Sequence, residues 1–400
     1  MSKSFNNLAR LSAVILSLAL CISVFSCGKQ PKTAETPLPP TELTSSVTHT
    51  QTTAPSAQTT TEIATTVLTA EPDAPKEMFR VVDTSAFRGL YYLDYTADYS
   101  FDEFISSGGA ANSAELIEYG MKVFPNMELD LQNLGYGCSA FYAESNDGRF
   151  ILGRNFDMDA KNSGSYLLVH TRPDGAYESF STVNLKFIGI NGAPNAPHDE
   201  TSPLLFAPFV PLDGINEKGL SIGVLQLDCD GIQQNKSGKI DMTSTSIIRY
   251  VLDRAASTDE AIALFENCNL HTEGFAYHYM LGDADGHGAV IEYIDGALAV
   301  KRFDANNGGA LVCANSYVSD EGIAEFGKPS ADSSKRMGAI TSALEKSNYE
   351  LTVQNSLHAL YSGSQTTTRW SIVFDCTNKT TDIAINRNTS KFYSFTFEDN

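Results

Sequence analysis

The sequence predicts an α+β domain in which stacked sheets carry helices on their outer faces. Strand-like segments occur within residues 138–227 and again within 276–303. Helical segments lie within 243–268 and 333–362, and strand-like segments return between residues 369 and 398. An order of strands, then helices, then strands is typical of layered α+β domains. We therefore expect a layered domain over residues 138–400, preceded by three segments of different character.

The first segment, residues 1–27, has the composition of an export signal. Basic residues precede an apolar run from Leu11 to Phe25, which ends at Ser26 and Cys27. A basic start, a short apolar core and a small-residue end are typical of signal peptides. The run is also too short for a comfortable membrane span. Its end resembles the lipobox of bacterial lipoproteins, although Phe25 is unusual there. We predict lipidation at Cys27, with simple secretion as the alternative.

The second segment, residues 28–75, consists almost entirely of Thr, Ser, Pro, Ala and Glu. Such a composition buries too little apolar surface to offset the entropy lost on ordering. We therefore predict a disordered stalk. Behind a lipid anchor, this stalk would hold the domain on the outward face of the cytoplasmic membrane of a bacterium.

The third segment, residues 76–137, is predicted to be helical. The stretch from Ser100 to Phe124 suggests two helices that are broken at Gly108-Gly109. The second helix has an apolar stripe at helical spacing. The members of the stripe are Leu116, Ile117, Tyr119, Met121, Val123 and Phe124. We expect this segment to act as a pro-segment or as a separate α-chain.

Charge and cysteine content narrow the classes of function. The formal net charge is −20, which argues against nucleic acid or an anionic surface as a partner. Of the seven cysteines, five lie in the globular part, and an odd number in an exported protein suggests a reactive thiol. No Cys-x-x-Cys pair is present, so the sequence gives little support for zinc. No metal or cofactor is implied.

Residues 138–157 are the most informative stretch. The segments 138–144 and 149–155 are joined by Asn146-Asp147-Gly148, which predicts a hairpin. The hairpin would bring Arg154 and Asp157 back to Cys138, which lies among small residues. A cationic neighbour lowers the pKa of a thiol. We therefore predict that Cys138 is a nucleophile served by Arg154 and Asp157, over the alternative of a buried structural thiol.

The base for this nucleophile is not a histidine that the sequence can identify, because none lies close to Cys138 or in a cysteine-protease signature. A nucleophile at the start of a processed chain can use its own α-amino group. The pKa of that group, about 8, leaves much of it neutral at physiological pH. We therefore predict autocatalytic cleavage between Gly137 and Cys138, with Gly137 allowing a strained turn at the cut.

Four motifs, in order, resemble the choloylglycine hydrolase family, which includes bile salt hydrolases and penicillin V acylases. They are Cys138 with Gly-Arg-Asn-Phe-Asp at 153–157, the stretch DGINEKGLSIGVLQLD at 213–228, VCANSY at 312–317 and SSKRMGAI at 333–340. The resemblance implies an αββα sandwich of the N-terminal-nucleophile hydrolase type. It also implies hydrolysis of a linear carbon–nitrogen amide bond.

The resemblance assigns roles to three further residues. It places Asn315 at the oxyanion asparagine, Arg336 at the second active-site arginine, and the backbone N–H of Gln226 in the oxyanion hole. Without the resemblance, the more common interpretation of Asn315 is a turn former and that of Arg336 a surface helix residue. Gln226 departs from the Asn of bile salt hydrolases and the Tyr of penicillin V acylases. We expect its side chain to face the leaving group, which leaves the choice of substrate open.

The long segment before Cys138 is more similar to that of acid ceramidase, a relative in which a helical α-chain precedes the cut. We expect a surface amidase that cleaves a small N-acyl compound through an acyl-thioester. Bile conjugates, penicillin V, N-acyl amino acids and fatty amides are all candidate substrates. The alternatives are an acyltransferase of similar build and a non-catalytic ligand-binding lipoprotein. The oligomeric state and the pairing of Cys229, Cys268, Cys313 and Cys376 are open at this stage.

Overall fold

The fold is described by a computed structural model over residues 79–85, 88–125, 127, 129–131, 134–195, 202–304 and 309–398. The predicted signal peptide, the lipidation site Cys27 and the stalk lie outside these residues. The strands are β1 (Phe79–Asp83), β2 (Leu90–Tyr95), β3 (Gly137–Glu144), β4 (Phe150–Asp157), β5 (Tyr166–Thr171), β6 (Ser179–Asn184), β7 (Asp213–Asn216), β8 (Ser221–Gln226), β9 (Ile240–Thr243), β10 (Cys268–His271), β11 (Tyr277–Gly282), β12 (Gly288–Ile294), β13 (Ala297–Arg302), β14 (Ala310–Cys313), β15 (Thr368–Asp375), β16 (Thr380–Ile385) and β17 (Tyr393–Thr396). The helices are α1 (Phe101–Ser106), α2 (Ser113–Val123), α3 (Ser246–Arg254), α4 (Thr258–Asn267), α5 (Asp320–Phe326), α6 (Ala331–Lys346) and α7 (Val353–Ser362).

Two large sheets form the centre of the molecule. One has nine strands in the order β1-β2-β5-β6-β7-β8-β11-β12-β13, and the other has six in the order β14-β3-β4-β15-β16-β17. All pairings within these sheets are antiparallel except β2 with β5, which is parallel. The short strands β9 and β10 form a separate parallel pair.

The alternation of side chains along β3 explains how the two sheets pack. Tyr142 faces the nine-stranded sheet, where its ring lies against Gly282 and Gly288; a Cβ at either glycine would come within 2.4 Å of that ring. Phe141, one residue earlier, faces the opposite way and joins the core beneath α6 and α7. Because successive side chains of a strand point to opposite faces, the side chain of Cys138 faces the nine-stranded sheet, as that of Tyr142 does.

Helices cover both outer faces. α6 and α7 bury Ile340, Leu344 and Leu357 against the six-stranded sheet. α3 packs on β7 and β8 of the other sheet. Helix, sheet, sheet and helix therefore follow one another as four layers, which agrees with the predicted α+β sandwich.

Local signals in the sequence account for several boundaries. The hairpin between β3 and β4 turns at Asn146-Asp147-Gly148 as predicted, and Gly148 has a φ of +84° there. Ser257 caps the N-terminus of α4: its side chain accepts from the N–H of Glu260 at 3.3 Å, and the helix begins at the next residue.

The prediction of a helical segment over residues 76–137 is correct only in part. α1 and α2 form on either side of Gly108-Gly109 as expected. Residues 79–95, however, contribute β1 and β2 to the nine-stranded sheet. β2 contains the apolar run Leu90–Leu93, whose side chains are all buried, and burial against both neighbouring layers favours a strand at this position. The segment before Cys138 therefore contributes two strands to the nine-stranded sheet.

The five cysteines of the described region are free thiols, which settles the pairing left open by the sequence. Within the described residues, none of the helices is long and apolar enough to cross a membrane. A search of the same residues finds no cluster of three or more His, Cys, Asp or Glu side chains that could hold a metal ion.

Candidate active site

Cys138 is the second residue of β3 and is fully buried between the two sheets. The chain is continuous through Gly137, so the nitrogen of Cys138 is a peptide amide here and would become an α-amine after cleavage. Gly137 is itself part of the strand and is not among the glycines with positive φ. The strained turn predicted at Gly137 is therefore wrong, because the pairing of Gly137 with Asp157 keeps the backbone extended.

Arg154 lies beside the sulfur of Cys138. Its Nη2 donates to Sγ at 3.1 Å and to the carbonyl of Val224 at 2.7 Å, and its Nη1 pairs with the carboxylate of Asp213. Gly223 provides the room, since a Cβ there would lie 2.8 Å from Cδ of the arginine. Arg154 and Asp213 are both fully buried. Removing one partner of such a pair typically costs about 3–5 kcal/mol.

Asp213 is the support for Arg154 that the sequence reasoning missed. Its carboxylate also accepts from the indole N–H of Trp370 at 3.1 Å and from the hydroxyl of Thr182. Asp213 is the first residue of the second family-like motif, so its position in that motif was the available signal. Nothing in the local sequence around Trp370 or Thr182 points to this role.

Asp157 faces the other side of β4, as expected from its odd offset from Arg154. Its Oδ2 pairs with Nη2 of Arg336 from α6, and its Oδ1 accepts from the hydroxyl of Thr368 at 2.5 Å. Arg336 is only 4% exposed, so the reading of it as a surface helix residue is wrong. Thr368 was missed, because a threonine at the start of a strand carries no distinctive sequence signal.

Asn315 connects these groups to the backbone of the nucleophile. Its Oδ1 accepts from the N–H of Cys138 at 3.1 Å and from Nη1 of Arg336 at 2.9 Å. Its Nδ2 donates to the carbonyl of Gln226 at 2.7 Å. Because one end of the Asn315 amide faces two donors and the other end faces a carbonyl, the first end is the oxygen and the second is the nitrogen. The second hydrogen of Nδ2 is available for another acceptor.

The backbone of Gln226 lies on the same side of β8 as these groups. The N–H of Leu227 bonds to Ala276, towards β11, whereas that of Val224 bonds to Leu212 on the opposite side. Alternation along the strand therefore directs the N–H of Gln226 away from β11, to the side on which its carbonyl meets Asn315. This direction agrees with the predicted contribution to an oxyanion hole.

The side chain of Gln226 contacts the segment ahead of the nucleophile. Its Oε1 accepts from the N–H of Tyr136 at 2.8 Å. In an attack on the carbonyl of Gly137, Tyr136 belongs to the acyl part and not to the leaving amine. The expectation that this side chain faces the leaving group is therefore not met in the uncut chain.

Burial dominates the electrostatics of the thiol. Burial raises the pKa of Cys138 to about 11, although Arg154 and Arg336 pull it down. The prediction of a lowered pKa is thus wrong for the uncut chain, because removal from water outweighs the cationic neighbours. Burial also raises the pKa of Asp157 above its usual value, against the opposing effect of Arg336.

A cavity of about 80 Å³ lies next to Tyr136. Its walls include apolar side chains from the segment ahead of Cys138, Leu116, Leu131 and Leu134, and from the segment after it, Phe187, Val210 and Leu212. His271 and Glu273 also line it. The cavity is therefore mainly apolar, with polar groups over part of its lining.

Comparison with known proteins agrees with this geometry. Residues 138–316 match the family model of linear amide C–N hydrolases, choloylglycine hydrolase family. A penicillin V acylase of Pectobacterium atrosepticum is 35% identical over 95 residues, which are 21% of this chain and 25% of that protein. The chain thus spans about a quarter of the length of this relative in the match.

Solved structures extend the likeness to the fold. Penicillin V acylase from Agrobacterium tumefaciens matches with a TM-score of 0.50 at 18% identity, over 65% of this chain and 86% of that one. A variant of conjugated bile acid hydrolase from Clostridium perfringens matches with a TM-score of 0.50 at 16% identity, over 66% and 93%. The fold is thus similar to that of these two hydrolases.

Residues 138–316 match the model of the choloylglycine hydrolase family, which confirms the resemblance predicted from the sequence. The family consists of hydrolases that act on linear amide C–N bonds, which is the class of enzyme the sequence predicted. The structure brings Cys138, Arg154, Asp157, Asn315, Arg336 and Gln226 into one connected network. Their individual roles remain predictions.

Proposed function

We propose that the protein hydrolyses the amide bond of a small N-acyl compound, with Cys138 as nucleophile once the chain has been cut after Gly137. The observation that carries the proposal is the convergence of three groups on Cys138. The sulfur of Cys138 meets Arg154, its nitrogen meets Asn315, and the N–H of Gln226 points to the same side. A structural cysteine needs none of these contacts.

The proposed cut begins with attack of the Cys138 sulfur on the carbonyl carbon of Gly137. The carbon–nitrogen bond between the two residues breaks, a thioester forms, and the thiol proton passes to the nitrogen of Cys138. Water then adds to the thioester carbon, which releases the carboxylate of Gly137 and restores the thiol. Such intramolecular attack benefits from a high effective molarity.

Turnover would follow the same path with an external amide. The free amine of Cys138 takes the thiol proton, the thiolate attacks the substrate carbonyl, and the ammonium returns the proton to the leaving amine. Nδ2 of Asn315 and the N–H of Gln226 would stabilise the oxyanion, each worth about 10²–10³-fold in general. Water, deprotonated by the same amine, then hydrolyses the acyl-thioester. Arg336 and Asp157 hold Asn315 and the amine in position.

The apolar cavity beside Tyr136 supports an apolar acyl group in the substrate. During the cut, Gly137 supplies the acyl carbon, so the segment ahead of it marks the acyl side of the site. The cavity lies on that side and is walled by leucines. Apolar walls with a few polar groups are typical of small-molecule sites. Bile conjugates, penicillin V and fatty amides all offer such a group.

We also propose that the enzyme acts outside the cell, held by a lipid on Cys27 and raised by the stalk at 28–75. The support is the basic, apolar and small-residue order of residues 1–27. Mass spectrometry of the mature chain from membranes would identify the modified cysteine. A mature N-terminus at another residue would reject the anchor and leave secretion.

The test of the activity uses the full mature chain and a panel of N-acyl amides covering the classes above. We expect release of the free acid, together with a new N-terminus at Cys138. Cys138→Ala should abolish both, and Cys229→Ala, at a half-buried thiol with Tyr317 as neighbour, should retain both. Normal turnover by folded Cys138→Ala would reject the nucleophile. Transfer to an added amine instead of water would indicate an acyltransferase.

A further inference from the structure

A buried histidine–glutamate pair holds both ends of the segment that carries Asn315. His278 lies on β11 and Glu292 on the neighbouring β12, and both side chains are fully buried. His278 reaches the residue before Asn315, and Glu292 reaches Val318 and Ser319. We infer that His278 and Glu292 are positioning residues that set the location of Asn315 in the oxyanion hole; this inference rests on the function proposed above.

The contact of His278 defines one end of the segment. Its Nε2 lies 2.7 Å from the carbonyl oxygen of Ala314, and its Nδ1 lies 3.1 Å from Oε1 of Glu292. A carbonyl oxygen only accepts, so Nε2 carries a hydrogen. The carbonyl of Ala314 belongs to the peptide bond whose nitrogen is that of Asn315. The imidazole therefore holds the peptide plane between Ala314 and Asn315, and with it the backbone position that carries the Asn315 side chain.

The contacts of Glu292 define the other end. Its Oε1 accepts from the N–H of Val318 at 2.8 Å, and its Oε2 accepts from the N–H of Ser319 at 3.0 Å and from the hydroxyl of Ser319 at 2.5 Å. Burial raises the pKa of Glu292, but the bonds from His278, Ser319 and Val318 outweigh it and lower that pKa. Three donors from Val318 and Ser319 thus hold the carboxylate of Glu292, and the imidazole of His278 lies against its Oε1.

The position of the Asn315 side chain is important for the proposed oxyanion hole. The side chain of Asn315 bonds at once to the nitrogen of Cys138 and to the carbonyl of Gln226, so a shift of the segment would disturb both contacts. A misplacement of about 1 Å can cost on the order of 10²-fold in rate. An oxyanion donor acts mainly in the transition state, so its displacement should lower kcat more than it changes KM.

The closing experiment is a double-mutant cycle on the full mature chain. We expect His278→Phe to lower kcat by about 10- to 10²-fold with KM changed by less than about threefold. Asn315→Ala lowers kcat by itself, and adding His278→Phe to it should cost little more, because the histidine acts through the asparagine. The matched control is His170→Phe, another fully buried histidine paired with a glutamate, Glu178. It should leave kcat unchanged.

Hydrogen exchange supplies a readout that needs no substrate. His278→Phe should speed exchange of the amide hydrogens in 315–319, and His170→Phe should not. Equal loss of kcat in both backgrounds of the cycle, or unchanged exchange in this segment, would overturn the inference. A wild-type chain that hydrolyses no amide would reject the proposed function instead, and the exchange comparison would still decide the positioning role.

Discussion

Arg154 donates a hydrogen bond to the sulfur of Cys138 across 3.1 Å, yet the pKa of that thiol is raised to about 11. Burial outweighs the guanidinium in the uncut chain, in which Cys138 is fully buried between the two sheets. The uncut chain therefore holds its nucleophile in the thiol form at neutral pH. Cleavage would supply an amine beside the sulfur to take up its proton, so processing and activation would be the same event.

Replacement of the polar residues around Cys138 should separate catalytic support from substrate choice. Arg154→Lys keeps the charge beside Asp213 but loses the guanidinium fork, and Asp157→Asn removes the ionic partner of Arg336. We expect each to lower kcat/KM by about 10²-fold, the cost of misplaced reacting groups. Gln226→Asn should change kcat/KM by less than about tenfold and should alter the preference of the enzyme among acyl groups.

Steady-state kinetics on two substrates measures the loss of kcat/KM in each of the three variants. Thermal unfolding of each variant is the control for folding. Arg154→Lys keeps a positive charge beside Asp213, and Asp157→Asn keeps a side-chain oxygen that can accept from Arg336, whereas Ala would remove both. If Gln226→Asn proved the most damaging of the three on every substrate, the assigned roles would be wrong.

The side chain of Gln226 should also influence the cut itself. Its Oε1 holds the N–H of Tyr136, one residue before Gly137. Gln226→Leu removes this acceptor, and the loss of one hydrogen bond worth about 1 kcal/mol should slow cleavage by roughly five- to tenfold. The control is Gln234→Leu, a buried glutamine bonded to Gly296 and Leu270. Timed mass spectrometry measures both, and equal rates would exclude a role for Gln226 in processing.

The sequence predicts the reactive hairpin well because its signals are local. Asn146-Asp147-Gly148 fixes the turn, and the sixteen-residue offset brings Arg154 to Cys138. The family-like motifs add Asn315 and Arg336, which no local pattern would bring together. Asp213 and Thr368 were missed, because their roles arise from strands that pair only in the folded sheet.

The strands β1 and β2 were missed for a related reason. The apolar run Leu90–Leu93 is too short to tell a strand from a helix, and its partner β5 lies some seventy residues further on. The pKa of Cys138 was mispredicted because the sequence shows the charged neighbours and not the depth of burial. Long-range pairing and desolvation are the two properties that the local pattern does not contain.

A pH effect on stability should arise at Asp382, far along the chain on β16. Burial raises the pKa of this carboxyl to about 6, against the bond from Ser394 and with a further rise from Asp375. The folded state then binds a proton that the unfolded state, with a pKa near 3.8, does not bind. The contribution of Asp382 to stability is therefore unfavourable above pH 6 and is relieved as the pH falls from about 6 to about 4.

Asp382→Asn should remove this penalty. We expect the free energy of unfolding at pH 7.5 to rise by about 1–3 kcal/mol, the value of one to two pKa units, and to change little at pH 4. Denaturant unfolding at both pH values measures the difference, and Asp285→Asn, at an exposed turn residue, serves as the control. An equal change at both pH values would show that the effect is not ionisation.

The cut between Gly137 and Cys138 should leave the N-terminal segment in place. β2 lies between β1 and β5, with Leu90–Tyr95 paired along Tyr166–Thr171, and every side chain of β2 is buried. The bond that breaks is not part of this pairing. The apolar surface buried by β2 and by Phe101 and Phe104 of α1 holds the segment by the same interactions that stabilise the core.

We therefore expect the two pieces to elute together in size-exclusion chromatography at equal stoichiometry and to separate only in denaturant. Leu93→Asp, at a position 2% exposed in β2, should prevent a stable soluble protein, since it buries an unpaired charge. Val81→Asp, 57% exposed in β1, should be tolerated. Cys138→Ala should give one uncut chain of the same elution volume. Loss of the N-terminal piece from native, active enzyme after cleavage would contradict its place in the sheet.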